Sequence, residues 1–225
     1  MTPVPVESLW NRPIALVILL ALVSLLPFAF MTLTSFVKIS TVLQIVRGAI
    51  GAQNVPSTTV IMALSLALTL LAMAPVGTQI ADRATPLLRE VKDSTALVTG
   101  MVDATAVPMR AFLKKNASER ERTRFYEVAR NARSDADKAN VGRDDFTVIV
   151  PAFVTSELLE AFALGFAIYL PFLIIDLVVA NLLLALGMQM LNPTQVSLPF
   201  KLLLFVAVDG WGLLAQALVG PYRPG

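Results

Sequence analysis

Long apolar runs fill both ends of the chain, and one polar stretch divides them. Residues 1 to 13 are a short Pro-rich lead-in (Pro3, Pro5, Pro13), and Pro13 suits the first turn of a helix. Residues 14 to 37 then carry no charge over 24 positions, and a bilayer crossing needs about 20 such residues. Pro27 lies inside this run and predicts a bend or break. From Ser35 to Gly51, apolar residues recur at Phe36, Ile39, Val42, Leu43, Val46 and Ile50. That is helical spacing, so the first helix is expected to run on past the apolar zone as one long element. Residues 51 to 56 supply a turn and Ser57 a helix N-cap. A second apolar helix is predicted from Thr58 to Ala74, ended by Pro75 and Gly77. The first two helices then form a hairpin.

The polar stretch covers residues 82 to 145 and holds 13 of the 18 Lys plus Arg and 11 of the 16 Asp plus Glu. Its apolar residues Leu87, Leu88, Val91, Val98 and Val102 fall mainly on one helical face. Pro108 is expected to open a second short helix. Ser118 followed by Glu121 is a capping-box signature for a further helix, running to about Arg133. Glu119–Arg122, Glu121–Arg124 and Glu127–Arg130 are spaced as ion pairs along it. Residues 134 to 145 read as a loop. Phe146 to Leu191 is the third apolar element, and its 46 residues exceed one straight crossing of about 30 Å. Pro151 and Pro171 lie inside it. Asn192-Pro193 turns the chain into the last apolar element, Leu198 to Leu218, before a short Pro/Gly-rich tail. The predicted fold class is all-α and membrane-associated. Two long kinked helical hairpins (residues 1–81 and 147–225) flank a small helical polar insert (residues 82–146).

Composition narrows what such a chain can do. It is 56% apolar and 15% charged, where soluble domains carry about 25% charge. A net charge of +2 gives no case for nucleic acid. Having neither Cys nor His, the chain lacks the means for disulfides, thiol catalysis, His–metal sites and His acid–base chemistry. No cofactor or metal is expected. The first apolar run follows Glu7 and only one basic residue, Arg12, with no clean small-x-small cleavage site. It reads as a retained helix rather than a removed signal.

Seven ionisable residues sit in or beside the apolar helices: Lys38, Arg47, Glu157, Glu160, Asp176, Lys201 and Asp209. Each would cost roughly 2.5 kcal/mol or more if it faced lipid alone at mid-bilayer. Four acids against three bases points to mutual pairing, within one chain or between chains. A small-solute or ion transporter using the buried carboxylates is the alternative class. Asp176 and Asp209 also raise an intramembrane aspartyl hydrolase, but the Gly-x-Gly-Asp pattern of such enzymes is absent, as is a Gly-x-x-x-x-Gly-Lys phosphate loop. Met188 and Met190 are two apart and do not share a helix face. They are either apolar filler at a helix end or, on a loop, soft side chains able to seal a lumen and part again.

Several longer strings carry a family resemblance. They are Ser35-Phe-Val-Lys-Ile-Ser40, Gln53-Asn-Val-Pro56, Met73-Ala-Pro75, Pro151-Ala-Phe-Val-Thr-Ser-Glu-Leu158, Leu170-Pro-Phe-Leu-Ile-Ile-Asp-Leu-Val178, Ser197-Leu-Pro-Phe-Lys-Leu-Leu-Leu-Phe205 and Asp209-Gly-Trp211. The chain resembles the R subunit of type III secretion export gates, the SctR/YscR/HrcR family, whose flagellar homologue is FliP. The resemblance spans nearly the whole chain and is weakest in the polar insert. It implies a protein-conducting gate and not an enzyme. Several copies, five by the family pattern, would assemble with the S and T subunits in the bacterial inner membrane, partly lifted toward the periplasm. The U subunit, the large V subunit and membrane lipid would be neighbours, and unfolded secreted proteins the substrate. It also implies a gasket loop, usually of three methionines, at Met188-Gln189-Met190, where Gln189 departs from the pattern. The lack of a cleavable signal favours an injectisome member over a flagellar one. A count of basic residues would put the insert in the cytoplasm; the resemblance implies the periplasmic side, and that is the expectation taken here.

Overall fold

The computed structural model describes residues 13–52, 55–90, 94–135, 137–188 and 190–222. These form helices α1 (Pro13–Leu33), α2 (Phe36–Ile50), α3 (Thr58–Glu90), α4 (Ser94–Asn116), α5 (Glu119–Asn131), α6 (Phe146–Ala185), α7 (Pro193–Ala207) and α8 (Gly210–Val219). Single 3₁₀ turns follow at Lys138–Asn140 and Gly220–Tyr222. No strand occurs among the described residues, so the fold is all-α. Three helical stretches are long and apolar enough to cross a membrane: Thr58–Leu88, Ala96–Asn116 and Phe146–Ala185. The pairs α1/α2 and α7/α8 pass the same test if each is taken as one broken span.

The prolines behave differently from expectation. α3 does not stop at Pro75 but runs through Pro75 and Pro86 to Glu90. Pro108 lies inside α4 rather than opening a new helix, and α1 passes Pro27. α6 runs unbroken for 40 residues through Pro151 and Pro171. A proline removes one backbone bond, whereas ending a helix leaves four N–H and four C=O groups without intrahelical partners. In an apolar run the second cost is the larger. Conversely, the first element is not continuous: it stops at Leu33 and restarts at Phe36. Thr34 and Ser35 are buried at this break. The Thr34 hydroxyl donates to the Phe30 carbonyl at 2.7 Å, and Ile39 N–H donates to the Ser35 carbonyl at 3.1 Å. The first satisfies a carbonyl that the break would leave open, and the second is the first bond of α2. The last apolar element is also two helices, α7 beginning at Pro193 and meeting α8 at a 61° bend beside Asp209.

The chain divides into two compact units. One takes residues 1–34 and 74–156. Its core includes Phe112, Leu113, Val148, Ile149 and Phe153, with the Phe112 and Phe153 rings 5.6 Å apart. Ser118 caps α5 by accepting from Glu121 N–H at 3.3 Å. The capping box is only half used, because Ser118 N–H donates instead to the Ser156 hydroxyl at 2.9 Å. The Glu121 carboxylate, 1% exposed, is thereby left to Arg124 at 2.9 Å and Arg120 at 3.4 Å. Asp144 accepts from Lys114 at 2.6 Å and from Arg122 at 2.9 Å. The Lys114 hydrogen bond, joined by the charges of Lys114 and Arg122, holds the Asp144 carboxyl below its ordinary value.

The other unit takes residues 35–73 and 157–225. α2 supplies its central stripe, with Ile39, Val42, Leu43 and Val46 all at 0–1% exposure. α2 and α6 approach closely where Gly165 faces Ile45; a Cβ there would lie 2.6 Å from the Ile45 side chain. The candidate residues named from the sequence all belong to this unit.

Candidate functional site

The charges of α6 and α7 are positioned by helix spacing. Ser197 and Lys201 stand one turn apart on α7, so they share a face. Asn192 caps that helix, its side chain accepting from Thr194 N–H at 3.0 Å, which sets where the face begins. Lys201 Nζ donates to Asp176 Oδ2 of α6 at 2.6 Å and to the Ala49 carbonyl of α2 at 3.1 Å. Ser197 Oγ donates to Asp176 Oδ1 at 2.5 Å. The Ala49 carbonyl belongs to the last turn of α2, which Gly51 ends in the left-handed region at φ 76°. Carbonyls there lack intrahelical donors, and a cation suits the negative end of the helix. One ammonium therefore ties three helices, and it does so almost dry, with the Lys201 side chain 3% exposed.

A second cluster gathers near the start of α2. Lys38 Nζ meets Glu160 Oε2 at 2.5 Å. It also lies 5.4 Å from the centre of the Tyr222 ring, within cation–π range. The Tyr222 hydroxyl donates to the Glu157 carboxylate, which is 1% exposed. Glu157 and Glu160 are one turn apart on α6, so Lys38 and Tyr222 divide the two acids between them.

The remaining two charges find no ionic partner among the described residues. Arg47 is half-buried and donates to the Thr58 hydroxyl at 2.8 Å. Asp209 is exposed, has φ 51°, and makes no side-chain bond to the helix it precedes. Met188 and Met190 lie on a tight connection rather than on α6. Gly187, at φ 72°, ends that helix with paired bonds from Gly187 N–H to Leu184 O and from Met188 N–H to Leu183 O. Leu191 N–H then donates to Met188 O, and Asn192 starts α7. Met190 is fully exposed and Met188 half-exposed. Gln189 lies outside the described residues.

This geometry bears on chemistry. Both oxygens of Asp176 accept from donors, one of them cationic. An aspartyl hydrolase needs two carboxyls sharing a proton, and Asp176 is committed elsewhere. No group of three or more His, Cys, Asp or Glu residues able to hold a metal occurs among the described residues. The sequence pattern did not single out Ser197, the Ala49 carbonyl or Tyr222. Ser197 was findable, because it precedes Lys201 by one turn. Tyr222 sits in a Pro/Gly-rich tail with no periodicity to flag it.

Comparison with known proteins is consistent over most of the chain. The Hypersensitivity response secretion protein HrcR of Ralstonia nicotianae is 40% identical over 210 residues, covering 93% of this chain and 97% of that one. The Yop proteins translocation protein R of Yersinia pestis is 40% identical over 210 residues, 93% of this chain and 96% of its own. The Flagellar biosynthetic protein FliP of Pectobacterium carotovorum is 40% identical over 209 residues, 93% of this chain and 78% of its own. The FliP family profile matches residues 19–218, a stretch that contains both charge clusters except Tyr222 and the whole methionine turn. With that coverage and that identity to three such relatives, the chain belongs to the FliP family.

Proposed function

We propose that the chain is a structural subunit of a type III secretion export gate, and not an enzyme. Several copies, five by the family pattern, assemble with the S and T subunits around a path for unfolded polypeptides crossing the bacterial inner membrane. The U and V subunits flank this assembly, and the polar residues 82–146 lie on its periplasmic side. Met188, Gln189 and Met190 form the pliable constriction of that path.

One observation carries this reading. α6 has 40 residues, which at 1.5 Å per residue is about 60 Å, twice the thickness of a bilayer core. Its first turns are packed in a core, and from Leu159 on it is largely apolar and exposed, through Phe162, Phe166, Leu173, Ile174 and Leu177 to Leu182 and Leu184. The exposed part, residues 159–184, spans about 39 Å, longer than the ~30 Å of a bilayer core. The rest needs protein against it, and apolar faces of this extent mark interaction surfaces. The transporter alternative draws less support, because its acids Glu157, Glu160 and Asp176 are taken up by Tyr222, Lys38 and Lys201.

Native mass spectrometry of the complex purified with its co-expressed export proteins tests assembly. The expected result is a fixed multiple of the 24.3 kDa subunit together with two other small membrane proteins. A stable monomer would sink the gate reading.

A further inference from the structure

In the unit that holds both clusters, the described charges sort themselves. Lys38 is taken by Glu160, Lys201 by Asp176, and Glu157 by the Tyr222 hydroxyl. Two opposite charges remain, Arg47 and Asp209, and neither meets a charged group among the described residues. Resting on the assembly reading above, we propose that Asp209 of one copy pairs with Arg47 of the next copy. The contact is head-to-tail, and its apolar part is the pocket beside Asp209.

The surroundings of Asp209 point to a protein partner. Val206, Val208, Trp211 and Leu213 around it are exposed at 76%, 47%, 40% and 55%. Val208 and Gly210, its two chain neighbours, also line an apolar pocket of about 320 Å³ between α6, α7 and α8, with Phe172, Phe205 and Leu214 at its walls. A carboxylate ringed by exposed apolar side chains is poorly placed against lipid. It is well placed at a protein contact that brings a cation and fills the pocket. The backbone adds a second sign. Asp209 holds a left-handed conformation that glycine adopts more easily, and Gly210 stands next to it. Its carboxylate lies beside Gly212 in the first turn of α8 but makes no capping bond there, which leaves its oxygens open to a donor from outside the chain.

Arg47 is suited to be the other half. Its guanidinium offers five donors in a planar fork, and here one nitrogen serves the neutral Thr58 hydroxyl. The rest of the fork is available for a two-point bond to a carboxylate. Arg47 lies on α2 and Asp209 at the bend between α7 and α8, so a head-to-tail contact between them leaves one of each unpaired at the ends. Repetition then closes a ring or winds a helix. A self-complementary dimer would instead use the pair twice and stop at two copies, which the mass of the assembly distinguishes.

The chain has no cysteine, which makes the contact testable in the intact complex. Gly48→Cys places a thiol beside Arg47, where a Cβ meets nothing within 4 Å. Val208→Cys places one beside Asp209, and both charges stay in place. Two differently tagged single-cysteine copies are co-expressed with the export proteins and treated with a short bismaleimide. A cross-link carrying both tags is expected. In parallel, Arg47→Asp and Asp209→Arg alone should each lower the yield of assembled complex about tenfold, and the two together should return it to within about twofold of the parent. A multimer by native mass spectrometry with no two-tag cross-link overturns this contact and leaves the gate reading standing. So do single variants that assemble normally, or a double variant that is not restored, which would give Asp209 a cation from another subunit. Monomers only would overturn both.

Discussion

Asp176→Ala is expected to destabilise the folded subunit by about 3–5 kcal/mol, the range for removing one partner of a buried ion pair. The charge left behind is the reason. Lys201 is 3% exposed on its side chain and would keep only the Ala49 carbonyl. Its ammonium would then sit in a nearly dry site with no countercharge, and the Ser197 hydroxyl would lose its shortest acceptor as well. The double variant Asp176→Ala/Lys201→Met removes both charges and keeps the volume of the lysine stem, so it should recover most of the loss. Protease resistance and thermal retention of the detergent-purified protein report this directly. An Asp176→Ala protein as stable as the parent would refute the dry clamp. Lys38→Met should cost less than Asp176→Ala, because its partner Glu160 is 56% exposed and already solvated.

Gly210→Ala should cost about 1–3 kcal/mol, the usual penalty for overfilling a packed core. A Cβ at Gly210 would sit 2.3 Å from the Phe205 ring, inside contact distance. The ring can turn only into the apolar pocket that it lines with Gly210, and doing so gives up its present contacts. Phe205 is 5% exposed, packs edge-on against Trp211 at 5.1 Å, and lies 6.4 Å from Phe172. The damage falls at the bend between α7 and α8, which also holds Asp209, so assembly should fall with stability. Phe205→Leu in the same chain makes space and should partly restore both. By contrast, Gly77→Ala meets nothing within 4 Å and should be tolerated. Should Gly210→Ala and Gly77→Ala behave alike in thermal retention, the close contact at Phe205 is wrong.

The apolar helices were legible because lipid-compatible runs leave a plain mark, and α1, α3 and α6 each lie where such a run begins. The Ser118 and Ser57 caps were legible for the same local reason: a hydroxyl three residues before a free N–H is a short-range signal. Breaks inside the apolar runs were not legible, although the turns at residues 51–56 and at Asn192-Pro193 were. Proline is a strong stop in water, yet Pro75, Pro86 and Pro108 lie inside helices here, while the real break at Thr34–Ser35 contains no proline. What decides is whether the backbone groups freed by a break find partners. Thr34 supplies one for Phe30, which only the folded chain reveals.

At the candidate site, composition identified which residues do not belong in lipid. It did not say which acid meets which base. Asp176 and Lys201 are 25 positions apart, and their meeting depends on the register of α6 against α7, fixed by the Gly187 and Asn192 ends of the short connection. The Ala49 carbonyl could not be foreseen at all, since every residue has one. The spacing of Met188 and Met190 left two readings open, apolar filler at a helix end or side chains on a loop; they lie on the connection that follows α6.

The central claim is that an unfolded polypeptide passes the Met188–Met190 turn. A photo-crosslinking amino acid placed at Met190, in cells with a secreted protein stalled part-way through export by a folded fusion, tests it most directly. The account predicts a covalent adduct between the stalled polypeptide and position 190, and none from Leu184 on the exposed face of α6. Adducts from Leu184 but not from position 190 would contradict it, because the polypeptide would then run along the outside of the helices.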